Sequence, residues 1–213
     1  MPSVKPRKSV VHQAPFLNQE PSTVSKPMSS ALHLRLSEYD QMVKLGAFDA
    51  LGRKVELIHG ELKEMNPAGP MHDDLIAYLT DWSADHRDRD RTIITSQTGL
   101  NLPSQESRPE PDLMWLRKAR YRQSHPTAED VQLAIEVAHS SLTYDLEDKR
   151  RLYAAARISE YWIVDAVANC IHVFLGPEQG DYRIRQLFKI GETLAPQIAP
   201  TATLNLSELF AGD

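Results

Sequence analysis

The amino-acid sequence predicts an α/β fold with a central mixed β-sheet and helices on its faces. In VQLAIEV, residues 131–137, large apolar side chains alternate with Gln, Ala and Glu, the period-two pattern of a β-strand. After Ser140 the apolar residues instead recur at helical spacing. EYWIVDA, residues 160–166, is a short apolar strand of the kind that is buried between layers. Together these stretches predict a sheet with helices packed against it.

The composition fits a single domain, because 213 residues that are 41% hydrophobic suffice for one core. Residues 1–28 carry little patterned hydrophobicity, so we expect a disordered tail there and one domain over 29–213. The single cysteine, Cys170, excludes an intrachain disulfide and a cysteine-rich zinc site. The chain has neither an apolar run that could span a membrane nor a signal-peptide pattern, so we expect a cytoplasmic protein without a membrane partner.

Local patterns predict the remaining elements. They are a helix over 36–47, a β-hairpin over 55–65 with His59 and Gly60 at its tip, an amphipathic helix over 71–87, a first core strand over 92–102, a strand that starts at Pro111, a closing antiparallel meander over 170–194 and a final turn over 204–210. Gly46 should end or weaken the first helix. This helix and the hairpin come before the strands of the central sheet in the sequence.

Two carboxylates and one lysine are candidates for a metal-dependent site. Asp112 follows a proline at the start of a strand, and Glu136 lies on the face of its strand opposite the large apolar residues. Lys149 lies within the apolar stripe of the next helix, where a lysine must extend to solvent or meet a buried anion. Local pairing with Asp145, four residues earlier, is the structural alternative. Two carboxylates would hold a hard cation such as Mg²⁺, and a lysine would orient its bound water or neutralise oxygen charge.

Several stretches resemble a known family. Pro111-Asp112, then Glu136, then a lysine is similar to the PD-(D/E)xK nuclease superfamily. More closely, VELIHGELKEM, PDLMWL, AIEVAHSSLTYDLEDKRRLYAAARISEYWIVDA and LNLSELF resemble the Uma-two family, whose members are classed as restriction endonucleases, over about 36–210. The resemblance implies a restriction-endonuclease-like core of helix, three antiparallel strands, helix and a further strand.

The same resemblance implies a role for each candidate residue. Asp112 and Glu136 would hold Mg²⁺ or Mn²⁺, and Lys149 would support the attacking water. The wider superfamily carries its lysine two residues after the glutamate, where this chain has Ala138. The family pattern moves the lysine into the next helix, and Lys149 matches that place.

Three further residues enter the candidate site through the resemblance. In the superfamily an additional acid can assist the metal site, and the matching family motif contains both Glu56 and Glu61. Exposed hairpin acids without a role are the alternative for both. His72 matches a recurrent family histidine at the start of the first core helix, where a helix cap or a packing residue is the alternative.

The function that these residues predict is a metal-dependent endonuclease that acts on DNA. The alternative is a catalytically inactive nuclease-fold protein that binds nucleic acid or a protein partner, as a symmetric homodimer. The net charge of −5 favours the alternative, because a nonspecific DNA binder usually has a basic surface. Basic residues within 117–122 and 149–157 reduce that objection, although solvated faces explain them equally well.

Overall fold

The computed structural model describes residues 31–65, 67 and 69–211. One compact unit spans Leu32–Asp213, and the tail predicted over residues 1–28 lies outside the described residues. The helices are α1 (Leu36–Lys44), α2 (Pro70–His86), α3 (Leu142–Tyr144), α4 (Arg150–Ala155) and α5 (Leu206–Leu209), with a π-helical turn (Asp145–Lys149) between α3 and α4. The strands are β1 (Val55–Ile58), β2 (Glu61–Glu64), β3 (Thr92–Ser96), β4 (Leu113–Arg117), β5 (Val131–Ala138), β6 (Glu160–Asp165), β7 (Cys170–Glu178), β8 (Asp181–Lys189), β9 (Thr193–Leu194) and β10 (Leu204–Asn205).

A six-stranded sheet forms the centre of the fold, with the strand order β3-β4-β5-β6-β7-β8. All neighbouring strands are antiparallel except β5 and β6, which are parallel. A parallel pair needs a crossover connection, and here α3, the π turn and α4 supply it. The sheet is therefore mixed, as the sequence predicts, and the crossover carries Lys149.

One face of the sheet packs against α2. Leu133, Ile135 and Val137 of β5 project to this side, as the alternating pattern predicts. They share one apolar cluster with Leu75 and Leu79 of α2. The indole N–H of Trp115 also finds a partner in this layer, because it donates a 2.8 Å hydrogen bond to Ser83 Oγ. The amphipathic helix predicted over 71–87 is thus confirmed, and its apolar stripe covers the sheet.

The opposite face of the sheet packs against α4. Ala134 and Ala138 of β5 lie on this side with Leu152 and Tyr153 of α4. The small alanine side chains leave room above the sheet, and Glu136 lies between them in the alternation. The central sheet therefore carries a helix on each face.

The N-terminal hairpin has the turn that the sequence predicts. β1 pairs with β2, with Ile58 opposite Glu61. His59 and Gly60 both have positive φ, 51° and 78°, which is the backbone of a type I′ turn. A Cβ at Gly60 would also lie 3.0 Å from the carbonyl oxygen of Leu34, so this glycine satisfies both the backbone and the close contact.

Two elements are shorter than predicted. The first helix ends at Lys44 rather than near residue 47, because Gly46 adopts a left-handed conformation with φ 69°. The first core strand ends at Ser96, because Gln97 has φ 46° and turns the chain out of the sheet. Within the described residues, no helix is long and apolar enough to cross a bilayer.

Candidate active site

A cleft of about 730 Å³ lies at the carboxyl end of β5. The hairpin, the start of α2 and the π turn form its walls. Five of the six candidate residues line it, namely Glu56, His72, Asp112, Glu136 and Lys149. They come from five separate segments of the chain, and the sheet together with its crossover brings them together.

Asp112 is positioned by the pairing of β4 with β5. Leu113 pairs with Ile135, so Asp112 lies at the level of Glu136. The carboxylate is buried, and its Oδ2 accepts a 2.8 Å hydrogen bond from the backbone N–H of Val137. Asp112 is thereby fixed beside the end of β5, facing the cleft.

His72 contacts the same oxygen of Asp112. Its Nε2 lies 3.3 Å from Asp112 Oδ2, at the first turn of α2. The hydrogen bond to Asp112 raises the pKa of His72 above its ordinary value, although burial of the ring lowers it. His72 therefore orients the Asp112 carboxylate and places a proton donor in the cleft.

Glu136 is buried on the α4 side of the sheet. Its Oε1 accepts a 2.9 Å hydrogen bond from Lys149 Nζ and a 2.7 Å hydrogen bond from the hydroxyl of Tyr153. Burial raises the pKa of Glu136 well above its ordinary range, while the charge of Lys149 opposes that shift. Without a further cation, the site thus penalises the charged form of Glu136.

Lys149 is turned into the fold rather than toward solvent. Only 4% of the residue is exposed, and its ammonium also lies 3.5 Å from Glu56 Oε1. Burial opposes its charge, but Glu136 and Glu56 outweigh that effect and raise the pKa of Lys149, so it stays protonated. Asp145, the predicted local alternative, instead accepts a 2.6 Å hydrogen bond from Ser141 Oγ. The buried-anion interpretation of Lys149 is therefore the one that the structure bears out.

The hairpin contributes Glu56 and not Glu61. Glu56 is 2% exposed, and its Oε1 accepts a 2.6 Å hydrogen bond from the backbone N–H of Glu110. The side chain of Glu61 is 48% exposed and pairs with Lys63 at 2.6 Å. The structure thus brings Glu56 into the cleft and leaves Glu61 on the outer surface of the hairpin.

Tyr153 and Asp145 belong to the site although the sequence did not assign them a role there. Tyr153 lies four residues after Lys149, so it shares the same helical face and reaches the same carboxylate. Asp145 lines the cleft, and burial raises its pKa to about 6. The available signal was helical spacing, because Asp145 and Tyr153 lie four residues before and after Lys149.

The described hydrogen bonds use one oxygen of each of three carboxylates. They are Glu56 Oε1, Asp112 Oδ2 and Glu136 Oε1. The second oxygen of each keeps its lone pairs for another ligand. With Asp145, four buried carboxylates face one lysine and one histidine, an excess of negative charge that a divalent cation would offset.

The sequence of the chain matches the model of one protein family. The Uma2 (Uma-two) family, described as "Putative restriction endonuclease", matches residues 36–207. The chain belongs to the Uma2 family. The resemblance noted in the separate sequence stretches is thus confirmed over most of the chain, and the cleft lies within the matched residues.

A solved structure shows the same fold as this Uma2 protein. It is described as a putative nuclease belonging to DUF820 from Anabaena variabilis ATCC 29413. The match covers 83% of this chain and 97% of the other, with a TM-score of 0.64 and 13% sequence identity. The nuclease-like fold class predicted from the sequence is therefore confirmed. No protein with a curated description matches the chain.

The donor set of the Uma2 cleft fits a hard divalent cation. Carboxylate oxygens are the ligands that Mg²⁺ and Mn²⁺ prefer, and Asp112 and Glu136 present them from neighbouring strands. The Lys149 ammonium donates to Glu136 Oε1, so it balances charge without using the second oxygen in the described hydrogen bonds. Asp112 and Glu136 are accordingly the residues that could hold the metal.

Proposed function

We propose that this Uma2 protein is a metal-dependent endonuclease that hydrolyses DNA phosphodiester bonds. Asp112 and Glu136 would hold Mg²⁺ or Mn²⁺. The observation that carries the proposal is the meeting of these carboxylates with a buried, protonated lysine in one cleft, since Lys149 Nζ lies 2.9 Å from Glu136. Family membership and the nuclease described for the solved relative support the same reaction class.

The chemistry divides between the cation and the side chains. When bound, the metal would lower the pKa of a water ligand and stabilise charge on the phosphoryl oxygens. Lys149 would place its ammonium beside the attacking water or a phosphate oxygen, where a positive charge favours the transition state. In the balanced reaction, water adds to phosphorus, the bond to one sugar oxygen breaks, and a phosphate monoester and a hydroxyl group result.

His72 and Tyr153 would act through the carboxylates. His72 holds Asp112 through Oδ2 and Tyr153 holds Glu136 through Oε1. Both hydrogen bonds fix the orientation of a carboxylate whose other oxygen would bind the metal. These residues position the ligands, and we do not assign them a proton transfer.

The acidity of the cleft predicts that DNA binding depends on the metal. Glu56, Asp112, Glu136 and Asp145 would repel a phosphate in the absence of a cation, and the chain as a whole has a net charge of −5. A divalent ion reverses the local sign. DNA affinity should therefore rise with Ca²⁺, which mimics Mg²⁺ binding, and fall when a chelator is added.

The proposal is tested by calorimetry with Mg²⁺ and Mn²⁺ and by plasmid cleavage on the same samples. Asp112→Asn and Glu136→Gln keep the size of each side chain and remove its charge. Both variants should lose metal binding and cleavage. Asp74→Asn and Glu147→Gln, which change exposed acids outside the carboxylate cluster, should retain both.

A folded wild-type protein that binds neither metal and cuts neither DNA nor RNA would contradict the proposal. If it then bound nucleic acid or a protein partner without cleavage, the inactive binding module would be the better description. Cleavage of RNA in place of DNA would keep the reaction and change the substrate.

A further inference from the structure

We propose that Asp165, Cys170 and His172 form a second metal site, which takes Zn²⁺ or a transition ion with the same ligand preference. The three residues lie where β6 turns into β7. Asp165 pairs directly with Cys170, and His172 follows two residues later on the same face of β7. One ligand atom from each residue lies within 4.8 Å of the other two, so the group is compact before any metal binds.

The distance between the cysteine and the histidine is close to that in a tetrahedral zinc site. Cys170 Sγ lies 3.9 Å from His172 Nε2. Zinc binds sulfur at about 2.3 Å and nitrogen at about 2.0–2.1 Å, so a tetrahedral angle separates the two ligand atoms by about 3.6 Å. A contraction of a few tenths of an ångström, within the range of side-chain rotation, would bring these two atoms to that separation, and the Asp165 oxygen lies within 4.8 Å of both. Three protein ligands would leave the fourth position to water or another small ligand.

The ligand chemistry separates this group from the acidic cleft. A thiolate and an imidazole favour zinc, cobalt or similar ions, whereas the oxygen ligands of the cleft favour magnesium or manganese. The two groups should therefore bind different metals, and one can be measured without occupying the other. The proposal does not depend on the endonuclease activity.

Asp165 is held in place with one oxygen to spare. Its Oδ1 accepts hydrogen bonds from the backbone N–H groups of Val167 and Ala168, at 3.0 Å and 2.8 Å. That contact explains why an aspartate starts the turn, but it uses only one of the two carboxylate oxygens. The second oxygen is the one that would bind the metal, and burial of the residue keeps its direction fixed.

Metal binding and proton binding compete at this site. A cysteine binds metal as the thiolate and a histidine as the neutral imidazole, so binding at Cys170 would release a proton and affinity should fall as pH falls. Lys189, the cross-strand neighbour of Cys170, opposes a cation, but it is exposed and water screens its charge.

Cobalt spectroscopy on the full chain tests the site, with Co²⁺ as the probe for zinc. A thiolate bound to cobalt gives a charge-transfer band in the near ultraviolet, and Cys170 is the chain's single cysteine. The band can therefore arise only at this residue. We expect it to saturate at one cobalt per chain and to disappear when zinc displaces the cobalt.

Three variants establish the ligand set. Cys170→Ser should abolish the band, and His172→Gln and Asp165→Asn should each weaken cobalt affinity by at least about tenfold. Asp165→Asn keeps the oxygen that accepts from the turn, so its fold should be retained. His125→Gln, at an exposed histidine elsewhere, and Asp112→Asn in the cleft are controls that should leave the band unchanged.

The absence of a thiolate band in protein that circular dichroism shows to be folded would overturn the proposal. A band that survived unchanged in both His172→Gln and Asp165→Asn would also overturn it, because the thiol would then bind cobalt alone. Loss of metal-dependent cleavage with the band intact would count only against the endonuclease.

Discussion

The hydroxyl of Tyr153 and the ammonium of Lys149 converge on a single oxygen, Glu136 Oε1. The hydroxyl lies 2.7 Å away and the ammonium 2.9 Å away. Both donors come from the crossover between β5 and β6, one helical turn apart. This arrangement holds one oxygen of a carboxylate that lines the cleft.

Tyr153→Phe should reduce cleavage without abolishing it. The change removes one hydrogen bond to a buried carboxylate and preserves the aromatic packing, so we expect a loss of about 1–3 kcal/mol in stability. Because the Glu136 orientation would loosen, cleavage should fall about tenfold or more. Urea unfolding and plasmid cleavage measure the two effects. Tyr182→Phe is the matched control, since it removes a buried 2.9 Å hydrogen bond to the Ile158 carbonyl but should leave cleavage unchanged.

Lys149→Met should damage both stability and activity. The change leaves Glu136 and Glu56 buried without their cationic partner, which typically costs about 3–5 kcal/mol. The loss should be smaller at pH 5 than at pH 8, because burial raises the pKa of Glu136 and its protonation removes an unbalanced charge. Cleavage should fall by about 100-fold or more at saturating metal. Arg151→Met, which removes an exposed charge from the neighbouring helix α4, should change neither stability nor cleavage. If the Lys149 variant cleaved DNA as fast as the wild type, Lys149 would have no role in the mechanism.

Glu56→Gln and Glu61→Gln should separate the two hairpin acids. Glu56 lies in the cleft and touches Lys149, so the loss of its charge should lower cleavage about 10–100-fold and weaken metal binding. Glu61 is paired with Lys63 on the surface, and its replacement should leave both properties unchanged. Calorimetry and cleavage assays on both variants check this. The reverse order of effects would mean that the hairpin moves when substrate binds.

Glu160 should make stability depend on pH at the end of the sheet far from the cleft. Burial raises its pKa to about 7, although hydrogen bonds from Trp162 Nε1 and the backbone N–H of Gln197 favour the charged form. A folded-state pKa above the unfolded value means that the folded state binds the proton more tightly. Its contribution is therefore present at low pH and is lost as pH rises from about 4.5 to about 7.

Glu160→Gln isolates that contribution. The variant cannot titrate at this position. The free energy of unfolding of the wild type, relative to that of the variant, should therefore fall by about 2–3 kcal/mol between pH 4.5 and pH 8. Urea unfolding of both proteins across this range gives the difference directly. A difference that stays constant with pH would mean that Glu160 is charged in the fold throughout.

The sequence predicted the elements that depend on local periodicity. The alternation of large apolar residues with Gln, Ala and Glu over 131–137 located β5 and its two faces, because successive side chains of a strand point to opposite sides of the sheet. The apolar stripe around Lys149 identified a lysine that must meet an anion. These features follow from hydrophobic patterning, which acts over a few residues.

Convergence in space was not predictable from spacing. Asp112 lies beside Glu136 only because Leu113 pairs with Ile135, and a shift of one residue would turn one carboxylate to the opposite face. The choice between Glu56 and Glu61 depends on how the hairpin lies over the sheet, which neither strand encodes by itself. Tyr153 lies four residues after Lys149, and only the position of Glu136 gives its hydroxyl a partner.

The π turn, Asp145–Lys149, accommodates one residue without turning the crossover. Such a turn holds one residue more than the corresponding α-helical turn. Deletion of a single residue here would restore ordinary α-helical winding and leave Lys149 on nearly the same face relative to Ser141. A deletion within α4 would instead rotate every side chain that follows it by about 100°.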